Sequence, residues 1–115
     1  MLSTILVLIV ALIHVYIAVL EIKFWDKPRG LRVFGLSQEL ATQTTTLAIN
    51  QGLYNLFLVA GILVGVAFGM PQLTLFSVVC VLVAGIVGFA TGIKSALYAQ
   101  SIPAALALLA MAAHL

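Results

Sequence analysis

The chain has 115 residues, of which 64% are hydrophobic and 7% are charged, and its formal net charge is +2. Soluble domains carry about 25% charged residues, so a chain this poor in charge cannot cover the apolar surface of a soluble fold. The composition therefore excludes a soluble domain and predicts an all-α integral membrane protein with a single domain over residues 1–115.

Four apolar segments approach the length of a membrane-spanning helix, which is about 20 residues. They lie at about residues 2–24, 45–68, 73–95 and 100–115. The first lacks the basic n-region and the cleavage site of a secretory signal, so we expect it to remain as a transmembrane helix. The fourth is the shortest and either begins earlier, near Ala96, or crosses incompletely. The pattern predicts a polytopic bundle of four transmembrane helices with an up-and-down path.

The connections between these segments differ in character. The stretch GMPQ, residues 69–72, predicts a tight turn between the second and third helices. Residues 25–44 form the only long polar segment, and their Lys-Pro and Arg-Gly pairs break the helix. Beyond these pairs, apolar residues suit a short amphipathic piece on the membrane surface. They are Leu31, Phe34, Leu36 and Leu40.

The basic residues lie on one side of the predicted bundle. All five occur in or beside the first loop or at the end of the third helix: Lys23, Lys27, Arg29, Arg32 and Lys94. The positive-inside rule then predicts that loops 25–44 and 94–101 are cytoplasmic and that both termini lie on the outer side of the membrane. The basic balance reflects this orientation and contact with lipid headgroups, and no nucleic-acid partner is expected.

Polar side chains interrupt the first two helices. His14 and Glu21 are seven residues apart, so they share one face, which should turn inward because a lipid-facing carboxylate is costly. The second helix carries four polar residues on one broad stripe: Asn50, Gln51, Tyr54 and Asn55. Counting depth at 1.5 Å per residue predicts that Glu21 lies level with Asn50 and Gln51. His14 then lies level with Tyr54 and Asn55.

These six residues predict a polar pocket in the cytoplasmic half of the bundle. We expect it to bind a small amphipathic or lipid-like molecule, with His14 or Glu21 transferring a proton. Trp25 and Lys94 are secondary candidates, because anchoring at the membrane interface is the commoner role for both residue types. One histidine and one carboxylate supply two metal ligands at most, whereas zinc needs three or four. Neither a metal nor a cofactor is therefore predicted.

Small residues recur at every fourth position in the second and third helices: Gly61, Gly65 and Gly69, then Ala84, Gly88 and Gly92. Such stripes let helices approach closely. We expect them to pack these two helices against each other rather than to join copies of the chain. Small bundles often assemble further, so a homo-oligomer within the lipid bilayer is also expected.

Three stretches carry a family resemblance. They are ALIHVYIAVLEIKFW, with His14, Glu21 and Trp25; FGL, residues 34–36; and NQGLYNLFLVAGI, residues 50–62. Together they resemble the small bacterial membrane proteins grouped as the domain-of-unknown-function 1304 family, over nearly the whole chain. The resemblance implies a four-helix membrane protein and no particular activity.

Three alternatives stand beside the binding hypothesis. In the first, the chain is a structural or accessory membrane protein without a ligand, and its polar residues only join helices. In the second it is a proton-coupled transporter, like the small multidrug transporters, although Glu21 lies near a helix end and the charge bias disfavours their dual topology. In the third it is an enzyme distantly similar to the membrane-associated glutathione and eicosanoid enzymes, without the arginine and glutamate expected in their second helix.

Overall fold

The computed structural model covers residues 1–115 and is helical, with no strand. Its helices are α1 (Leu2–Lys23), α2 (Pro28–Phe34), α3 (Gln38–Gln43), α4 (Thr45–Ala67), α5 (Pro71–Ala90) and α6 (Ile102–Ala112), the last preceded directly by a π-helical turn (Leu97–Ser101). Helices α1, α4 and α5 are long and apolar enough to cross a membrane. The all-α class is thus confirmed, with three candidate membrane-spanning helices, while the last apolar helix is shorter than these three.

Prolines, glycines and a serine cap set the helix boundaries around the polar segment. Pro28 occupies the first turn of α2, and Gly35 ends that helix in the left-handed conformation, with φ of 65°. The Ser37 hydroxyl accepts a hydrogen bond from the Leu40 N–H and caps α3. Pro71 occupies the first turn of α5. The expected amphipathic piece is therefore two short helices, α2 and α3.

The helices α5 and α6 differ from their expected bounds. Helix α5 ends at Ala90 rather than near residue 95, because the Thr91 hydroxyl donates to the Val87 carbonyl and Gly92 turns the chain with φ of 110°. The last helix begins at residue 97, directly after Ala96, as the alternative of an earlier start than residue 100 expected. Its first turn is π-helical, and the Ser101 hydroxyl there donates to the Leu82 carbonyl at 3.3 Å.

Helix α1 packs against α4 and α6, while α5 packs against α4, α6 and the π-helical turn. An apolar cluster fills the space between them: Val7, Val10, Ala11, Val59, Ile62, Val78, Val81, Ala104 and Ala107. Gly61 and Gly65 of α4 face α5 so closely that a Cβ on either would overlap Ser77 or Thr74. The small-residue stripe of α4 thus packs against α5, whereas Ala84 of the α5 stripe is exposed.

The two ends of the molecule differ in chemistry. Both termini meet at one end, where the Met1 ammonium donates to the Leu115 carbonyl at 2.8 Å. The opposite end contains the C-termini of α1 and α5 together with α2 and α3, so it carries all five lysines and arginines. We refer to these as the terminal end and the basic end.

Helix α4 extends beyond α1 at the basic end. Gly52 lies against Ile22 and the Ala18 carbonyl, near the last turn of α1. Since Gly52 is level with the last turn of α1, the first residues of α4 project past the end of α1. Helix α3 packs against α4, while α2 packs against α1, so the projecting segment gives α3 a surface on which to fold.

Candidate functional site

The candidate site is centred on a hydrogen-bonded pair between α1 and α4. The Asn55 amide Nδ2 donates to Glu21 Oε1 at 2.5 Å. Glu21 is 5% exposed and Asn55 is 7% exposed. A buried carboxyl and a buried amide both lose free energy unless they find hydrogen-bond partners. Here the carboxyl and the amide are each other's partners, and their hydrogen bond joins the two longest helices, α1 and α4.

His14 lies deeper in the bundle, on the same face of α1 as Glu21, and is only 1% exposed. Its Nδ1 donates to the Val10 carbonyl at 2.9 Å, so in the neutral ring Nε2 carries a free lone pair. Nε2 is buried and has no hydrogen-bond partner. The Gln100 side chain of the π-helical turn lies near the His14 ring. It makes no hydrogen bond to Nε2.

The expected depth of Asn55 relative to α1 is wrong. Asn55, expected level with His14, bonds to Glu21 instead. The cause is the projection of α4 beyond α1, which moves every residue of α4 toward the basic end relative to α1. A count from the two helix ends assumes that both helices start at one plane, and here they do not.

Three of the predicted pocket residues do not face the Glu21–Asn55 pair. All three are exposed on α4, and Tyr54 is 58% exposed. The three residues are Asn50, Gln51 and Tyr54. The Asn50 amide donates to the Thr46 carbonyl of its own helix at 3.3 Å. Tyr54 instead contacts Phe57, with ring centroids 6.0 Å apart. The inward stripe of α4 is narrower than expected, and only Asn55 among the four polar residues lies on it.

A groove of about 290 Å³ opens at the basic end between the chain after α1 and the projecting part of α4. We call it the Trp25 groove. Its lining residues are Trp25, Leu36, Leu40, Thr44, Leu47, Ala48 and Gln51. The Trp25 indole N–H donates to the Thr44 hydroxyl at 2.9 Å, and its ring lies 4.9 Å from that of Phe34. Trp25 and Gln51, both predicted from the sequence, thus meet in this groove.

The Trp25 groove lies next to the buried pair. Asn55 follows Gln51 by four residues on α4, and Trp25 lies just beyond the end of α1, which carries Glu21 in its last turn. Four residues correspond to about 6 Å along a helix axis, so the Asn55 amide and the carboxyl bonded to it lie about one turn inward from the groove. His14 lies about two turns further inward on α1, so polar groups lead from the groove to the centre of the bundle.

Some residues of this arrangement gave little signal in the sequence. Thr44 is one of five similar polar residues, 42–46, around the start of α4, and nothing in the sequence singles it out as the partner of Trp25. Gln100 and Ser101 interrupt an apolar stretch, which is the only sequence signal for the π-helical turn. Lys94 is exposed after the end of α5 and has no ion pair. No three His, Cys, Asp or Glu side chains are grouped closely enough to hold a metal ion.

Comparison with known proteins identifies the family of this chain. No curated protein and no solved structure matches it significantly. The family described as protein of unknown function (DUF1304) matches residues 8–112. The match includes His14, the Glu21–Asn55 pair and the Trp25 groove. Since it extends over nearly the whole sequence, the chain belongs to the DUF1304 family.

Proposed function

We propose that this chain is an integral protein of the bacterial cytoplasmic membrane and that it binds a small amphipathic molecule at its basic end. The observation that carries this proposal is the placement of the Trp25 groove about one helical turn from the buried Glu21–Asn55 pair. An apolar groove beside a few convergent polar groups is the usual form of a small-molecule site. The apolar part of the ligand would lie in the groove, and its polar group would reach the carboxyl and the amide.

The chemistry of the groove favours an amphipathic ligand. Leu36, Leu40 and Leu47 offer apolar contact, while Thr44 and Gln51 offer hydrogen bonds at its edge. A purely polar molecule would leave the leucine side chains without matching contacts, and a pure hydrocarbon would leave the polar groups unused.

His14 adds a base deeper in the same site. Its Nε2 lone pair has no protein partner, and leaving a buried acceptor unpaired costs about 1–3 kcal/mol. Such an atom is available to accept a proton or a hydrogen bond from a bound molecule. Within the proposal, His14 or Glu21 exchanges a proton with the ligand.

The proposed topology has four crossings, with the basic end in the cytoplasm and the terminal end outside. All lysines and arginines lie at the basic end, as the positive-inside rule requires. The fourth crossing would be Leu97–Ala112, about 24 Å long at 1.5 Å per residue. This is shorter than a hydrocarbon core of about 30 Å, and local thinning of the bilayer accommodates such a difference.

Labelling of single cysteines tests this topology. The natural thiol is first removed by Cys80→Ala, and then Gln72→Cys or Glu39→Cys is introduced at exposed positions of the terminal and basic ends. A membrane-impermeant thiol reagent should label position 72 in intact cells and position 39 only after permeabilisation. The reverse pattern would refute the proposed orientation, and labelling of both positions in intact cells would refute the four crossings.

Native mass spectrometry of the protein released from membrane nanodiscs tests the binding. Gln51→Trp should fill the groove, whereas Asn50→Trp places the same bulk on the neighbouring exposed position outside it. We expect a small-molecule adduct on the wild type and on Asn50→Trp, and its loss from Gln51→Trp and Glu21→Gln. A wild-type protein without any adduct would favour the structural alternative, in which the polar residues only join helices.

The same spectra report the oligomeric state, for which we propose a homo-oligomer. Tyr54 and Phe57 form an exposed aromatic pair on the outer face of α4, and this face offers contact area to a second copy. The transporter alternative has less support, since the apolar cluster of the core separates His14 from the terminal end and would have to open during transport. The enzyme alternative lacks support among the buried residues, which include no arginine.

A further inference from the structure

A second polar contact lies on the outer face of α1, away from the buried pair. The Arg29 Nε donates to the Tyr16 hydroxyl at 2.7 Å, and the guanidinium carbon lies 5.5 Å from the centre of the Tyr16 ring. Tyr16 follows His14 by two residues, which places it about 200° around the helix from His14. Tyr16 is 43% exposed and His14 is buried, so the two side chains lie on opposite faces of α1.

The direction of the Arg29 side chain is unusual for a basic residue at the end of a membrane helix. Lysine and arginine at such positions normally extend their charged groups toward water. Tyr16 lies seven residues before the end of α1, about 10 Å back along the axis, so Arg29 reaches inward along the helix. Gly30 explains how this is possible, because it packs against the Phe24 carbonyl with no space for a Cβ. That contact folds α2 tightly against the end of α1.

The charge of Arg29 has no partner within the chain. The only ion pair joins Lys27 to Asp26, at 4.0 Å. Arg29 uses Nε for Tyr16, and its two Nη groups make no hydrogen bond to the protein. A guanidinium group with free Nη donors in a fixed orientation is suited to bidentate binding of a phosphate. Lys23 and Arg32, also without ion pairs, lie at the same end of the molecule and add to its positive potential.

The outer face of α1 beside Tyr16 is a continuous apolar stripe. Its residues recur at alternating spacings of four and three and are all exposed: Ile5, Ile9, Leu12, Tyr16 and Val19. This spacing keeps them on one side of a helix. The stripe runs from the Arg29–Tyr16 contact toward the terminal end, which is the direction that an acyl chain takes from a phosphate at the basic end.

We infer that Arg29 and Tyr16 form a binding site for the phosphate of an anionic phospholipid, whose acyl chain lies along the exposed stripe of α1. The Arg29 Nη groups donate to the phosphate oxygens, and Tyr16 holds the guanidinium in position through Nε. The neighbouring basic residues favour a headgroup with net negative charge over a zwitterionic one. The inference uses the proposed membrane location but none of the groups in the Trp25 groove, so either site can fail without the other.

Native mass spectrometry from nanodiscs of defined composition tests the inference. The discs contain equal amounts of phosphatidylglycerol and phosphatidylcholine, and the lipid that stays bound to the released protein is counted. We expect the wild type to retain phosphatidylglycerol preferentially and Arg29→Gln to reduce that preference about tenfold, the scale of one charge-assisted contact. Arg29→Lys keeps the charge but loses the planar fork, and should reduce it by a smaller factor.

Lys94→Gln is the matched control, because it removes one positive charge from the same end at an exposed position without an ion pair. It should reduce the lipid preference by a smaller factor than Arg29→Gln does, since it removes only the general attraction of one exposed charge. Equal losses in Arg29→Gln and Lys94→Gln would overturn the inference in favour of a non-specific charge effect. A wild type without lipid preference would overturn it too, as would adducts of inorganic phosphate alone in detergent.

Discussion

Removal of the Asn55 amide is the most direct perturbation of the candidate site. Glu21 and Asn55 have no other side-chain hydrogen bond than the one between them, so Asn55→Ala leaves a buried carboxyl group unpaired. Such a loss costs about 1–3 kcal/mol. Hydrogen bonds between transmembrane helices average about 0.6 kcal/mol and reach about 1.7 kcal/mol. Because both groups are buried, we expect a coupling near the upper value.

A double-mutant cycle measures this coupling from Asn55→Ala, Glu21→Ala and the double variant. Trp25 is the only tryptophan and lies at the junction of α1 with α3 and α4, so its fluorescence follows unfolding in mixed micelles. We expect Asn55→Ala to lower the free energy of unfolding by about 2 kcal/mol and the cycle to give a coupling of about 1.5 kcal/mol. Asn50→Ala, exposed on the same helix, should change stability by less than about 0.5 kcal/mol. A coupling below about 0.3 kcal/mol would refute the view that this pair joins α1 and α4.

Two further predictions concern packing and the groove. Gly65→Val should lower the free energy of unfolding, measured in detergent, by about 1–3 kcal/mol, because the added side chain overpacks against Thr74. The control Ala84→Val, on the exposed face of α5, should have little effect. Equal losses in the two variants would contradict the close contact. Thr44→Val removes the acceptor of the Trp25 indole N–H. It should lower the free energy of unfolding by about 0.5–1.5 kcal/mol and shift the Trp25 fluorescence emission. An unchanged emission maximum would show that the indole has no such partner in solution.

The long helices could be predicted because their signal is averaged over many residues. In α1 a single face contains the buried positions, such as Val7, Ala11 and Ala18, while the rest is apolar and exposed. An apolar run of this length has no stable conformation in a bilayer other than a helix that satisfies its own backbone. The inward orientation of Glu21 followed from the same physics, since the cost of a lipid-facing carboxylate outweighs any local preference.

The last helix shows where that averaging fails. Its start depends on a few residues, because Gly92 and Thr91 end α5 and the π-helical turn begins at Leu97. A π-helical turn has no distinct residue preference, and it forms here where the Ser101 hydroxyl finds a partner in the Leu82 carbonyl. That partner belongs to α5, so the turn depends on a tertiary contact that a sequence read segment by segment does not contain.

The relative position of α1 and α4 decides what the polar residues do, and it is the property that sequence reasoning missed. Had both helices begun at one plane, Asn50 and Gln51 would face Glu21, and the polar groups would form one pocket. The close contact of Gly52 with Ile22 shifts α4 outward instead. Asn55 then meets Glu21, while Gln51 moves to the wall of the Trp25 groove. The Gly52 contact thus sets the position of α4 at which the buried polar pair and the Trp25 groove are separate, and a bulky residue at position 52 should disrupt both together.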